Sequence, residues 1–127
     1  RSFIEWRSEG GVKKPWLIEA EEGALDVAAL WDLWRKGEQP QLSCTLVTTA
    51  AAPAFAPMHK RMPVLLDVQE RERWLDSAHT VAADDSLFRS ELKCPLRLSP
   101  LSRAGGNSRT KDPELMRPVG ASVCLGQ

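Results

Sequence analysis

Tyrosine is missing from this 127-residue chain, histidine occurs only twice, and the three cysteines are scattered. Cys44, Cys94 and Cys124 form no CxxC pair, which argues against both a zinc knuckle and a disulfide framework. A reducing, cytoplasmic setting is the simplest reading of such cysteine usage. No metal site and no cofactor are expected. No apolar run approaches the ~20 residues that a membrane-spanning helix needs, and the start carries no signal-peptide pattern, so no membrane partner is expected. Net charge is absent too. Lys plus Arg and Asp plus Glu each number 17, so no overall field calls for a polyanionic partner. There is no internal repeat or low-complexity tract.

What is present is the composition of one globular domain: 43% apolar and 27% charged residues. Charge is nevertheless unevenly laid out. Residues 67–85 carry a net charge of −4, and residues 86–127 carry +4, with Arg89, Lys93, Arg97, Arg103, Arg109 and Lys111 spread along them. These bases suit a solvated face or the lining of a strand-binding groove. Phe3 to Trp6 reads as a strand joined through "SEGGVKK" to "PWLIEA", together a hairpin. "LDVAALWDLW" fits a strand or a helix. "SCTLVTTA" is β-branched and strand-like. "DVQERERWLD" predicts a helix capped by Asp67 with Glu70 three residues on, and "DDSLFRSELK" a second helix with Phe88 and Leu92 one turn apart. "VLL" and "CPLRLSPLS" add short strands, the latter with Leu96 and Leu98 on one face. Such an order gives a mixed α+β domain. Trp16, Trp31, Trp34 and Trp74 are expected in the core, and Cys44 reads as a small buried hydrophobe. His79 is structural or exposed.

Two prolines bracket "PMHKRMP", residues 57–63. Proline fixes φ and removes a donor, so the segment predicts a rigid turn that aims His59, Lys60 and Arg61. Alternation in the first strand puts Ile4 and Trp6 on one face and Glu5 on the other. Taken alone, Glu5 on a solvated strand face, His59 on a surface corner, Arg61 in a surface ion pair and Thr48 as a plain strand residue are all adequate readings.

The order of six strings alters that balance. "FIEW", "PWLI", "ALW", "CTLVTTAA", "PMHKRMPVLL" and "WLD" follow one another as in the SOS response-associated peptidase (SRAP) family, which the chain resembles from Phe3 to about Leu115. The resemblance implies a mixed, mostly antiparallel open β-barrel with flanking helices, of which residues 1–127 would be a single partial domain without the family's N-terminal portion. It implies recognition of abasic sites in single-stranded DNA and covalent attachment to them. In the family, the α-amino group of a mature N-terminal cysteine forms a Schiff base with the ring-opened sugar, and its thiol closes a thiazolidine. Glu5 and His59 match the family's catalytic glutamate and histidine. The cysteine and an upstream asparagine have no counterpart, so the nucleophile is expected upstream of Arg1 or on a second chain. Ile4, Ala29 and Lys60 depart from the usual family residues without removing a proposed catalytic group.

The resulting expectations are Glu5 and His59 as proton-transfer groups, Arg61 and Thr48 as contacts to phosphate or sugar, and Trp6 stacked on an exposed base. A peptidase that removes its own leader, and a non-catalytic binding remnant, are the rival readings. An exposed apolar edge at Phe3 to Trp6 is expected wherever missing strands would pair.

Overall fold

The computed structural model describes residues 2–107, 109–110 and 112–126. Its strands are β1 (Ser2–Glu9), β2 (Val12–Ala20), β3 (Ala29–Trp34), β4 (Gln41–Leu46), β5 (Thr48–Ala50), β6 (Arg61–Pro63), β7 (Leu96–Pro100) and β8 (Val123–Leu125), with one helix, α1 (Val68–Leu75), between β6 and β7. Gly10 and Gly11, both at positive φ (57° and 79°), close the β1–β2 hairpin, which is what a two-residue turn matched to strand twist requires. β1, β2, β7 and β8 form one antiparallel sheet in that order. β3 pairs with β4 and β5 with β6, each as a separate antiparallel ribbon.

The larger sheet carries the main core on one of its faces. Its register sets Phe3 beside Ile18 and Glu5 beside Trp16, then Ile18 beside Leu98 and Leu98 beside Val123. Phe55, Met58, Met62 and Leu65 pack on that face to complete the main core. A second cluster of Ala28, Val64, Leu66 and Leu87 lies under α1. Between them, Val64 donates its amide to Val47, and Val47 donates its own to Ala28, both at 2.9 Å.

α1 begins as expected: Asp67 accepts from the Glu70 amide at 2.8 Å, and Glu70 reaches back to the Asp67 amide at 3.1 Å. The second predicted helix does not form. Only a 3₁₀ turn, Ser86–Phe88, is present, capped by Asp85 through the Leu87 amide. Leu87 and Phe88 are neighbours that both pack on the second cluster, whereas a helix would turn them about 100° apart. The "SCTLVTTA" segment is not one strand but two, because Val47 leaves the β3 partner and bonds to Val64 instead. "VLL" is buried coil with one bridge, Val27 to Leu65, and the strand sits just before it, in β6. Flanking helices therefore reduce to one, and no closed barrel forms among the described residues.

Two of the expected core tryptophans are outside. β3 is a strand, so its residues alternate between two faces, and neither face of the β3–β4 ribbon is covered. Trp31 is 74% exposed and Trp34 49%. Cys44, opposite Trp31, is exposed as well. Trp16 is buried, and Trp74 is half-buried edge-on to Phe88, with its indole N–H donated to Ala29 O at 3.1 Å. His79 is exposed and paired with Asp76.

Candidate active site

Glu5 and His59, distant in sequence, meet at the rim of the main core, where Glu5 Oε2 lies 3.9 Å from His59 Nδ1. β1 puts Glu5 on the same face as Phe3 and Arg7, which is the face that carries the core. Its carboxylate is thus held over apolar packing at the open edge of the sheet, with Oε1 accepting the Trp6 amide at 2.9 Å. Both side chains keep a solvent-facing part, 22% for Glu5 and 38% for His59. An oxygen of a substrate can reach both groups from that side.

The turn that delivers His59 is built from inside. Phe55 and Met58 are buried anchors, and the Phe55 and Ala56 amides bond back to Ala52 O. The His59 ring is fixed by the next residue but one. Nδ1 lies 3.0 Å from Arg61 O and 3.2 Å from Arg61 N. Protonated there, Nδ1 donates to the carbonyl; deprotonated, it accepts from the amide. Either bond ties the ring to the Arg61 backbone.

Arg61 and Thr48 form a clamp across the β5–β6 ribbon. The guanidinium donates to Thr48 Oγ1 from Nε (3.1 Å) and Nη2 (2.8 Å) and to Thr48 O from Nη2 (2.7 Å). No carboxylate pairs with Arg61 among the described residues, and it stays exposed. Its positive charge is consequently held by Thr48 with no carboxylate partner among the described residues, an arrangement suited to a phosphate.

Trp6 is not part of this group. It lies across from Pro15 on the other face of the sheet, and its ring so closely covers Gly106 that a Cβ there would fall 2.2 Å from it. Of the basic series, Lys93 is buried against Glu70, Arg89 pairs with Glu91 and Arg97 with Glu21, so these charges serve internal contacts. Lys111 lies outside the described residues.

One neighbour escaped the sequence reading. Arg7 sits two residues beyond Glu5 on the same face, its guanidinium 5.7 Å from the Trp16 ring centre, and lines an apolar hollow of about 300 Å³ with Trp16, Pro57 and Met58. Strand alternation from Glu5 was the signal that could have found it. Among the thiols, Cys94 is half-buried; burial and the Asp26 carboxylate push its pKa up, away from a thiolate role.

Comparison with known proteins places the chain by sequence and by fold. The profile of the "SOS response associated peptidase (SRAP)" family matches residues 1–107. The Abasic site processing protein HMCES of Gallus gallus is 29% identical over 143 aligned positions, covering 95% of this chain and 42% of that protein. The Abasic site processing protein YedK of Escherichia coli is 26% identical, covering 92% of this chain and 54% of its own length. The chain thus spans about half the length of these curated relatives. A solved structure of a protein from Bacteroides thetaiotaomicron superposes with a TM-score of 0.76 at 22% identity, over 92% of this chain and 53% of that one, and so shares the fold.

Proposed function

Since the chain belongs to the SOS response-associated peptidase (SRAP) family, we propose that it handles abasic sites in single-stranded DNA and takes part in their covalent capture. The observation that carries this reading is the approach of Glu5 to His59, at 3.9 Å, with Arg61, two residues on from His59, clamped to Thr48. The relatives named as abasic site processing proteins support the same substrate.

In this reading a phosphate next to the lesion docks on Arg61 and Thr48. The sugar C1′ then lies by Glu5 and His59. Opening of the deoxyribose moves a proton from the C1′ hydroxyl to the ring oxygen, a transfer that a carboxylate and an imidazole can share. An amine attacking the aldehyde gives a carbinolamine, whose hydroxyl leaves as water once protonated; His59 supplies that proton and Glu5 orients the sugar. The amine and the thiol that closes a thiazolidine belong to a cysteine outside residues 1–127, on a preceding segment or a second chain. Cys44 is far from this role, lying on a different ribbon. Trp6, on the opposite face, would reach only a base that wraps around the sheet edge. The three separate sheets are arcs of the open barrel that the family likeness implies, and a cytoplasmic setting goes with the same reading.

A peptidase reading has less support. Neither imidazole has a serine, threonine or cysteine among its hydrogen-bond partners in the described residues: His59 bonds to Arg61 and His79 to Asp76.

Fluorescence anisotropy with labelled single-stranded DNA, followed by denaturing gels, tests the proposal. The chain is expected to prefer an abasic strand over an intact strand or a duplex, to lose roughly tenfold in affinity on Arg61→Ala, and to leave no stable adduct. Equal binding to all three DNAs would overturn the substrate assignment, and an adduct would overturn the placement of the nucleophile.

A further inference from the structure

Of the motif "PMHKRMP", His59 and Arg61 serve the cleft, while Met62 points the other way. Strand alternation in β6 leaves Arg61 outside and turns Met62 into the main core, where it is 2% exposed. Its sulfur is not idle there. Sδ accepts the Ala52 amide at 3.2 Å. The backbone explains why that amide turns to a side chain. β5 and β6 pair as far as Ala50 and Arg61, and the Ala51 amide still reaches Lys60 O at 3.0 Å, but Ala52 lies one residue beyond and has no backbone acceptor among the described residues. Ala52 is also shielded from bulk water, at 3% exposed, and a buried amide left unpaired is costly. A thioether is a weak acceptor, yet it is the partner that this amide has.

From Ala52 the bonds lead straight to His59. Ala52 O accepts the Phe55 and Ala56 amides at 2.8 and 2.9 Å, and Phe55 O accepts those of Met58 and His59 at 2.8 and 3.4 Å. The His59 ring in turn bonds to the Arg61 backbone, whose next residue is Met62. Residues 52–62 thus form a closed circuit of bonds that begins and ends at Met62. We propose that Met62 is a positioning residue, whose thioether holds the Ala52 amide and, through the turn that follows, sets the His59 ring opposite Glu5. The role rests on the proposed function of His59, and it gives Met62 a task that core packing alone does not contain. Met58 marks the contrast. It is a buried methionine of the same core, but its sulfur has no hydrogen-bond partner among the described residues.

Amide hydrogen exchange and the ring-nitrogen shifts of His59, both followed by NMR on the chain without DNA, provide the test. Met62→Leu keeps volume and burial but removes the acceptor. It should speed exchange at Ala52 roughly tenfold, while Ala51, still bonded to Lys60 O, changes less than about twofold. In the same variant the His59 nitrogen shifts should move toward those of a free histidine. Met58→Leu should leave Ala52 exchange as it is. Should leucine at position 62 disturb the fold, norleucine incorporated into a Met58→Leu, Met116→Leu chain keeps the unbranched shape and removes only the Met62 sulfur. Three outcomes would each overturn the proposal: Ala52 exchange unchanged by loss of the sulfur, a rise shared equally by Ala51 or reproduced by Met58→Leu, or a rise at Ala52 with the His59 shifts unmoved. Affinity for an abasic strand is a separate readout. The expected exchange and shifts in a chain with no preference for that strand would refute the proposed function and leave the placement of His59 by Met62 intact.

Discussion

Arg61 reaches three acceptor contacts on one residue, Thr48, and that concentration makes the clamp testable. Lysine at this position keeps the charge but loses the planar fork. Arg61→Lys and Thr48→Val should each lower stability by about 1 kcal/mol in urea denaturation, and the double variant should cost clearly less than the sum of the two. Strict additivity would mean that the clamp adds nothing beyond its separate residues. Glu5 shows how far a residue can be understood from the sequence. Its flanking residues, Ile4 and Trp6, are the more apolar, which makes Glu5's face look like the wet one. In the structure both faces are covered, and Glu5 shares the face with Phe3 and Ile18 that carries the main core. Which face receives the larger core depends on β7 and on the turn around Phe55, partners too distant for local alternation to reveal.

At the scale of elements, α1 was legible because its signal is local. Asp67 and Glu70 bond reciprocally to each other's amides, and Asp67→Ala should cost about 1 kcal/mol, measured by thermal or urea unfolding. The segment after it was not legible, because burial of adjacent Leu87 and Phe88 outweighed the spacing of Phe88 and Leu92. Asp85 organises that turn. The Leu87 amide and the Arg73 guanidinium hold its carboxylate below the usual carboxylate range. A group with a lowered folded pKa contributes stability above its unfolded value, near 4, and loses it as pH falls through the folded value. Asp85→Asn should therefore flatten the acid side of the stability profile below about pH 4, with little change in its shape at neutral pH, as followed by urea midpoints. Asp76 is lowered in the same sense by the Ala78 amide and His79, so some acid sensitivity should persist in that variant.

Across the whole molecule, α1 is tied to the loop before β7 by one buried ion pair, Lys93 Nζ to Glu70 Oε1 at 2.6 Å, with side chains only 7% and 11% exposed. Removing one partner leaves the other charge stranded, so Lys93→Met should cost about 3–5 kcal/mol, whereas Lys93→Met with Glu70→Leu should recover most of it. Calorimetric unfolding of the single and double variants decides this. The sequence order of motifs placed Glu5 and His59 in one family pattern, and their approach in the folded chain was thereby foreseeable. The uncovered β3–β4 ribbon was not, since tryptophans in an apolar run look alike whether or not anything packs on them.

Val47 is where these scales connect. A single peptide unit there passes the chain from β4 to β5, anchored to Ala28 on one side and Val64 on the other, and the very next residue is Thr48. Ribbon and clamp are therefore consecutive along the chain, joined through one residue whose amide and carbonyl are both tied to neighbouring segments, so the position of Thr48 opposite Arg61 is set by the two backbone bonds at Val47.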